Sequence, residues 1–443
     1  MYYFLVGYII LLICISNYQQ SFSISIFFSD VVLQKPYSNS SSPRPISYYL
    51  YNTLLLCYYY SSSELSNDDD HQNQFVRNAY AITSQPITYN LTFVDSLLQN
   101  QKNYKQPLLV DCIAVAMSDS LQVYGIVSFL NMPPGAHYSI HQNYKLHYDG
   151  NTYNNQKVTY NFFEYVQVTS FSLPLSFRPS VQLSIEDAKY NLEYNVETSI
   201  LHPPIHRNKL GVCAYVSDYN TVDEVKSWLA YYKMVGVDHV MLYTALKLSS
   251  LKHALSKYID SGFLRWYGFY WPLNKYHKFI QRSIQRAQVN SCYYRHRHEF
   301  EYLLMVDVDE YLLSKSNPFN ISKSIDSYFT SSHDVILIKS NIFISSQLVS
   351  RQAVFRNGSI FDAYDCFLDN KKTGRVKMII KTRSKGYYGI HDCSSCRFTH
   401  RNQKDLHIFH LKEKPPKNVM NRTCGTNYSF YTSPLREVMK VFS

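Results

Sequence analysis

The chain has 443 residues, a formal net charge of +11, and a composition that is 46% hydrophobic and 17% charged. Such an apolar composition can bury a large core, which disfavours an intrinsically disordered chain, and the length allows two or three folded domains. With only 13 glycines and no Gly-rich phosphate-binding motif, a dinucleotide-binding fold is disfavoured. The positive charge comes without a zinc finger, an RNA-binding sheet motif or a dense Lys/Arg run, so nucleic acid is not an expected partner.

The N-terminal residues 2–15 form an uninterrupted apolar run, and the first charged side chain is Asp30. As a helix rising about 1.5 Å per residue, the run would extend about 21 Å and fall short of a full bilayer. Residues 1–29 are therefore interpreted either as a cleaved signal peptide or as a signal-anchor. Because no clear small-x-small cleavage site follows, we favour an anchor, which predicts a single-pass type II protein of the Golgi membrane with a lumenal remainder.

Two further features agree with a lumenal chain. Nine cysteines are present, and since Cys14 lies in the apolar run, the other eight form an even set that permits disulfides in an oxidising compartment without defining their pairing. N-glycosylation sequons occur at Asn39, Asn90, Asn320, Asn357, Asn421 and Asn427.

The first half of the chain divides into two regions by composition. Residues 30–77 are rich in Ser, Asn and Tyr, which predicts a stem or linker. Residues 78–205 show short apolar runs separated by turn signals such as Pro133-Pro134-Gly135, a pattern typical of a β-sandwich. This β-rich region is interpreted either as a carbohydrate-binding module or as a packed spacer domain.

Residues 206–430 have a different pattern, in which apolar strand runs alternate with helical spacing. Such alternation predicts an α/β domain with a mostly parallel sheet. Strand runs are predicted at 210–216, 240–243, 263–270 and 302–306, with helices at 222–234, 251–259 and about 275–298.

An acidic motif, Asp307-Val308-Asp309, directly follows the last of these strands. In open α/β sheets, ligands bind at the carboxyl ends of strands, and alternate residues there point the same way. Asp307 and Asp309 can therefore converge on one Mg²⁺ or Mn²⁺, which binds carboxylate and phosphate oxygens and neutralises a departing nucleoside diphosphate. The motif predicts a metal and diphosphate site; the other interpretation is a solvated carboxylate pair at a turn.

From about residue 212 to 412 the sequence resembles glycosyltransferase family 92, best known for galactosyltransferases acting on glycans. Gln288 and Cys292 recur at the family's spacing before the acidic motif. The other matching stretches, in chain order, are 227–232, 236–240, 258–262, Trp271-Pro272, 307–311, 377–381 with His391 after it, and 407–410. This resemblance implies a GT-A fold, a UDP-sugar donor, a divalent metal and inversion at the anomeric carbon.

The resemblance also implies roles for single residues. Asp218 and Tyr243, which follow or end the first two strands, are expected to bind the nucleotide sugar. Inversion needs a general base that deprotonates the acceptor hydroxyl, and Asp362 and Asp365 are the candidates.

Two histidines are candidates to complete the metal shell, and imidazole favours Mn²⁺ over Mg²⁺. His391 is favoured and His410 is second, while the alternative for each is a structural histidine bonded to the backbone. The spacing of His391, Cys393, Cys396 and His400 is also compatible with zinc, although a disulfide is favoured for those thiols in an oxidising compartment.

The sequence departs from the family pattern at Ser227, where a carboxylate is expected, and at Tyr232, where a histidine is expected. Thr244 and Ala245 replace an Asp-Asn-like pair.

Two sets of basic residues, each predicted on one face of its element, are interpreted as solvated faces or as anion contacts. The sets are Lys275, Lys278, Arg282 and Arg286 on the long helix, and Arg375, Lys377, Lys381 and Arg383 on a strand.

The sequence therefore predicts an inverting glycosyltransferase that moves a sugar, expected to be galactose, from a UDP-sugar to a glycan or glycoprotein acceptor. Its cofactor is expected to be Mn²⁺ or Mg²⁺. Two alternatives stay open: a non-catalytic carbohydrate-binding protein on the same scaffold, and a membrane-anchored structural glycoprotein without a ligand.

Overall fold

The computed structural model describes residues 107–129, 144–161, 166–176, 178–187, 192–217, 219–244, 248–268, 277–329, 333–344, 366–368, 376–384, 386–391, 393–394, 396, 399–400, 405–412 and 422–424. The predicted anchor, the stem and every sequon except Asn320 lie outside these residues. Within the described ranges, no helix is both long and apolar enough to cross a membrane.

The first sheet occupies the region predicted to be β-rich. Its strands are β1 (Pro107–Ala116), β2 (Ser120–Phe129), β3 (Tyr144–Tyr148), β4 (Asn151–Asn154), β5 (Lys157–Asn161), β6 (Val166–Pro174), β7 (Ser180–Asp187) and β8 (Leu192–Leu201). They follow the order β4-β3-β7-β8-β1-β2-β6-β5, and every pairing is antiparallel except a short parallel contact between β1 and β8. The short strands match the turn pattern, whereas the two-layered sandwich stays a prediction, because this order forms one continuous sheet.

The second region contains the remaining strands and the described helices. They are β9 (Asn208–Tyr215), α1 (Val222–Met234), β10 (His239–Thr244), α2 (Ser249–Ala254), α3 (Ser256–Asp260), β11 (Leu264–Gly268), α4 (His277–His296), β12 (Phe300–Met305), β13 (Glu310–Ser314), α5 (Ile321–Tyr328), β14 (Val335–Ile344), β15 (Cys366–Leu368), β16 (Val376–Lys381), β17 (Tyr387–Tyr388), β18 (Cys393–Ser394), β19 (Thr399–His400), β20 (Leu406–Lys412) and β21 (Arg422–Cys424).

The second sheet has a parallel core in the order β11-β10-β9-β12, as the alternating pattern predicts for a mixed α/β fold. Strand β16 then pairs antiparallel with β12, and β14 pairs antiparallel with β16. The chain moves outward from β9 to β11 and then returns to place β12 on the other side of β9. The carboxyl ends of β9 and β12 therefore meet at a topological switch point, where open α/β sheets bind their ligands.

Local sequence signals define helix α1. Thr221 accepts a hydrogen bond from the backbone N–H of Glu224, and the Glu224 side chain accepts from the backbone N–H of Thr221, which is a complete capping box. The helix is followed by Gly236, whose φ of +82° lies in the left-handed region that favours glycine. These signals explain why the predicted helix and the observed one share the same bounds.

Strand β9 is buried on both faces, which is why it reads as a continuous apolar run. Val212 and Ala214 face a core that includes α1, whereas Cys213 and Tyr215 face a second core. That second core combines residues from both sheets, including Ile113, Val115, Ile126 and Val168 from the first sheet and Met241, Leu303, Cys292 and Tyr293 from the second region. The two sheets therefore share one apolar core on this side of β9.

Candidate functional site

The acidic motif forms the turn between β12 and β13. The backbone N–H of Val306 donates to the Cys213 carbonyl at the end of β9 (3.2 Å), so the motif lies at the switch point. The backbone N–H of Glu310 donates to the Asp307 carbonyl (3.0 Å) and closes the turn. The side chains of Asp307 and Asp309 are 32% and 11% exposed, whereas that of Glu310 is 1% exposed. The two aspartates are thus the carboxylates that a ligand can reach.

Lys377 on β16 neutralises this turn from inside the protein. Its Nζ lies 2.7 Å from Asp307 Oδ2 and 2.9 Å from Glu310 Oε2, and its side chain is 3% exposed. A solvated basic face is therefore wrong at Lys377, because β16 lies beside β12 and directs this ammonium beneath the acidic turn. Arg375 and the side chains of the basic set on α4 lie outside the described residues.

The Asp307–Lys377 pair shifts the pKa of both partners. Burial raises the pKa of the Asp307 carboxyl, but the Lys377 ammonium lowers it, and the net shift is downward. Burial lowers the pKa of Lys377, while the carboxylates of Asp307 and Glu310 raise it, and the net shift is upward. Both groups are therefore charged at neutral pH.

His410 on β20 lies opposite Glu310 in the antiparallel pairing of β13 with β20. Its Nε2 is 3.2 Å from Asp309 Oδ2, and its Nδ1 is 3.3 Å from Glu310 Oε1 without hydrogen-bond alignment. Ser340 donates to the same Glu310 oxygen (3.4 Å). His410 thus orients one aspartate of the motif. Glu310, which the sequence places only within the matching stretch 307–311, connects His410 to Lys377.

His391 makes a different contact. Its Nδ1 lies 2.9 Å from the carbonyl oxygen of Val376, the first residue of β16. The neighbouring Ile390 lines the same cleft as Asp307, so His391 lies near the site without a described contact to the acidic turn. Cys393 and Cys396 form a disulfide, which confirms the disulfide favoured over zinc for those thiols.

Only some of the residues expected at the nucleotide site lie within the described part of the chain. Tyr243 lies one residue before the end of β10, is fully buried, and stacks its ring on Tyr267 with centroids 4.7 Å apart. Thr244, the first of the two residues that replace the family's polar pair, is also fully buried. Four of the named residues lie outside the described ones: Asp218, Ala245, Asp362 and Asp365. Their assigned roles stay predictions.

Helix α1 supports the strand that carries Glu310. The Trp228 indole N–H and the Tyr232 hydroxyl both donate to the Glu310 carbonyl, at 2.9 and 3.1 Å. The Tyr232 hydroxyl also accepts from the backbone N–H of Leu312 (3.1 Å), and Tyr231 donates to the Leu312 carbonyl (2.6 Å). A hydroxyl both donates and accepts. Tyr232, which stands where the family has a histidine, therefore provides a hydrogen bond to two backbone groups of β13, the Glu310 carbonyl and the Leu312 N–H.

A small cleft opens beside the acidic turn. Its walls include Gln285, Gln288 and Val289 from α4, Asp307 from the turn, Lys377 from β16 and Ile390. Gln285 Nε2 donates to Asp307 Oδ1 (3.0 Å), so both oxygens of this carboxylate have protein partners. Sequence analysis did not identify Gln285, although its position about three turns before the end of the helix that leads into β12 is a usable signal.

The donor chemistry of the turn fits a divalent cation. Each carboxylate oxygen can accept more than one bond, so Asp307 keeps lone pairs after binding Gln285 and Lys377. Within the described part of the chain, no three His, Cys, Asp or Glu side chains are arranged as a metal shell. Water and phosphate oxygens commonly fill further positions around Mg²⁺ and Mn²⁺.

These features agree with a comparison against known protein families. A model of glycosyltransferase family 92 matches residues 208–440, which is more than half of the chain. The protein is therefore a glycosyltransferase. More specifically, the chain belongs to glycosyltransferase family 92, and the resemblance seen in the sequence is confirmed. A search of curated proteins finds no match.

Solved structures of other glycosyltransferases are similar at low identity. TarS 1–349 from S. aureus in complex with UDP is 13% identical, with 52% of this chain and 64% of that chain covered and a TM-score of 0.28. The mannosyltransferase PcManGT from Pyrobaculum calidifontis, in complex with GDP-Man and Mn²⁺, is 10% identical, with coverages of 49% and 60% and a TM-score of 0.28. This chain spans less than two thirds of either structure, and similarity at this level carries no argument about function.

Proposed function

We propose that this glycosyltransferase has a GT-A fold and moves galactose from UDP-galactose to a glycan acceptor with inversion at the anomeric carbon. The observation that carries the proposal is the acidic turn of Asp307 and Asp309 at the switch point of the parallel sheet, inside the region matched by the family. Donor, acceptor class and stereochemistry rest on the family resemblance.

Asp307 and Asp309 are proposed to hold Mn²⁺ or Mg²⁺. A bound cation would neutralise the diphosphate as it leaves the sugar. His410 already contacts Asp309, and outer contacts of this kind orient a metal-binding carboxylate. His391 and His410 remain the two proposed nitrogen ligands, and His410 has the stronger support because it contacts the acidic turn.

The remaining steps of an inverting transfer need a nucleotide site and a general base. Asp218 and Tyr243 are proposed for the nucleotide because Asp218 follows β9, whose carboxyl end borders the switch point, and Tyr243 lies one residue before the end of the neighbouring strand β10. Asp362 and Asp365 are proposed as candidates for the base, which must lie opposite the leaving diphosphate.

We also propose that the chain is a type II protein of the Golgi membrane. Residues 1–29 would anchor it, residues 30–77 would form a stem, and the β-rich region (78–205) and the catalytic region (206–430) would be lumenal. Asn320 supports lumenal exposure, since it is an exposed sequon residue whose Oδ1 caps α5 by accepting from the backbone N–H of Lys323 (3.3 Å).

N-glycosidase treatment of the native protein should increase its gel mobility; an unchanged band would argue against lumenal exposure.

A donor screen of the purified protein tests the catalytic proposal. UDP-galactose and other nucleotide sugars are offered with Mn²⁺, with and without glycan acceptors, and released UDP is measured. We expect UDP release to be highest with UDP-galactose and to stop when EDTA removes the cation. Folded protein that releases UDP from none of the sugars would overturn the proposal.

A non-catalytic carbohydrate-binding protein is the second candidate. Two observations favour it: Asp307 is already neutralised by Lys377, and the buried Thr244 stands where the family has a polar pair. This candidate predicts glycan binding without UDP release in the same screen.

A further inference from the structure

Gln288 is a buried amide in the wall of the cleft beside the acidic turn. Its side chain is 4% exposed, and its Nε2 has no hydrogen-bond acceptor among the described residues. Nearly all buried polar atoms in folded proteins are paired, since a buried donor without an acceptor destabilises the fold. A ligand, an ion or a water molecule can supply the missing partner of such a group.

Gln285, unlike Gln288, has a hydrogen-bond partner for its amide N–H. It lies one helical turn before Gln288 on α4, so the two side chains share a face of the helix. Gln285 is paired with Asp307 Oδ1, and the cleft walls contain both amides and that carboxylate. One amide therefore holds the carboxylate, while the other, on a side chain that also lines the cleft, has a buried donor without a described partner.

The charges around the cleft limit what can bind to Gln288. Lys377 is occupied by Asp307 and Glu310, so it offers no free positive charge. A phosphate placed directly against Asp307 would be repelled by the carboxylate. A hydroxyl group avoids this conflict, because it can accept a hydrogen bond from an amide and donate one to a carboxylate.

We propose that the Gln288 amide binds a hydroxyl group of the nucleotide-sugar donor, by donating a hydrogen bond from Nε2 to the hydroxyl oxygen. This inference rests on the proposed function, because it takes the nucleotide sugar as the ligand. The hydroxyl can belong to the ribose or to the transferred sugar. UDP carries only the first, so comparing UDP with UDP-galactose separates the two sources.

The test uses the full protein and Gln288→Met, which keeps an unbranched side chain of similar size but removes the donor. Gln182→Leu, at an exposed position on β7, is the control. The midpoint of thermal unfolding is measured without ligand and over a titration of UDP or UDP-galactose in Mn²⁺. Without ligand, we expect Gln288→Met to unfold at or above the wild-type temperature, because an unpaired buried group has been removed.

With ligand, Gln288→Met should bind roughly fivefold more weakly, the effect of losing about one neutral hydrogen bond. Weaker binding of both ligands assigns the ribose hydroxyl, whereas weaker binding of UDP-galactose alone assigns a sugar hydroxyl. Equal affinities of variant and wild type for both ligands would overturn the inference and leave the proposed function intact. A wild-type protein that binds neither ligand would instead overturn the proposed function, and the inference with it. Should Gln288→Met unfold below the wild type, Gln288→Leu is titrated in the same way and its affinities decide.

Discussion

At the scale of single residues, the three carboxylates of the acidic turn differ in exposure and in pairing. Asp307 and Asp309 are partly exposed and Asp307 lines the cleft, while Glu310 is buried and paired with Lys377. Three carboxylates this close would repel one another without a compensating cation. The buried ammonium of Lys377 contacts Asp307 and Glu310 and offsets part of this repulsion.

Asp309→Asn tests the role of the exposed pair. The change removes a charge that a cation would need, but it leaves the Lys377 pairs with Asp307 and Glu310 in place, so folding should be preserved. We expect UDP-sugar turnover in Mn²⁺ to fall by at least about a hundredfold. Asp223→Asn, an exposed change in the first turn of α1, is the control and should keep wild-type turnover. Wild-type turnover in Asp309→Asn would show that the acidic turn is not the metal site.

Lys377→Met tests the internal cation. Removing one partner of a buried ion pair leaves the other charge uncompensated, which typically costs about 3–5 kcal/mol. We expect a loss of that size in the free energy of unfolding, measured by urea denaturation. Lys381→Met on the same strand is the control and should have a small effect. Adding Glu310→Gln to Lys377→Met should restore part of the stability; a double variant no more stable than the single one would contradict this account.

At the scale of elements, α1 and β13 are joined by side-chain hydrogen bonds to the backbone. The Tyr232 hydroxyl donates to the carbonyl of Glu310 and accepts from the backbone N–H of Leu312, so one side chain bonds two residues of β13. The aromatic residues of α1 therefore replace ladder hydrogen bonds that β13 does not make on this side.

Tyr232→Phe should destabilise the protein by about 1–3 kcal/mol, because the buried N–H of Leu312 loses its acceptor. Tyr231→Phe is the matched comparison. It removes a donor to the Leu312 carbonyl but leaves no N–H without an acceptor, so the loss of stability should be smaller. Urea denaturation of both variants measures the difference. Equal losses would show that the N–H of Leu312 finds another acceptor.

Helix α4 ends in a buried histidine that makes stability depend on pH. Burial lowers the pKa of His296 to about 4, although Glu299, 3.0 Å from its Nδ1, opposes the shift. Between about pH 6.5 and 4, the unfolded chain binds a proton at this position and the folded protein does not. The free energy of unfolding should therefore fall as the pH falls through this window.

His296→Gln should flatten that pH dependence, since the replacement does not titrate. His253→Gln, at an exposed position on α2, is the control. Urea denaturation at several pH values between about 7 and 4 gives the slope for each protein. A slope in His296→Gln as steep as in the wild type would contradict the assignment of this pH dependence to His296.

At the scale of the whole molecule, the first sheet and the catalytic region share a buried ion pair as well as an apolar core. Arg295 on α4 contacts Asp111 on β1 at 2.8 Å, and both side chains are almost fully buried. Ser291 donates to the same carboxylate (2.6 Å), and Tyr387 donates to the Val166 carbonyl on β6 (2.8 Å). This interface favours a packed supporting domain over an independent carbohydrate-binding module.

Asp111→Ala should therefore destabilise both regions together. It leaves Arg295 buried without its carboxylate, which typically costs about 3–5 kcal/mol. Calorimetry should show one unfolding transition for the two regions, shifted as a whole to lower temperature. Asp119→Ala, an exposed change after β1, is the control. Two separate transitions, with only one of them shifted, would show that the regions unfold independently.

Local patterns carried most of what could be predicted. The helix of α1, the strand before the acidic turn and the turn itself depend on residues that are neighbours in the chain, so periodicity and capping signals were sufficient. Alternation also indicated that Lys377 lies on one face of a strand. It could not indicate that this face is buried, because burial depends on which strand lies beside it.

The sequence by itself therefore determined the alternation of strands and helices, the position of Asp307 and Asp309 at a strand end, and the family. Only the tertiary structure decided the partners of that turn. Lys377 meets Asp307 from 70 residues away, His410 meets Asp309 from 101 residues away, and Arg295 meets Asp111 from 184 residues away. Each contact depends on the order of strands in a sheet or on the packing of α4 against β1. Both are determined by the burial of apolar surface over the whole fold, which no local pattern of residues specifies.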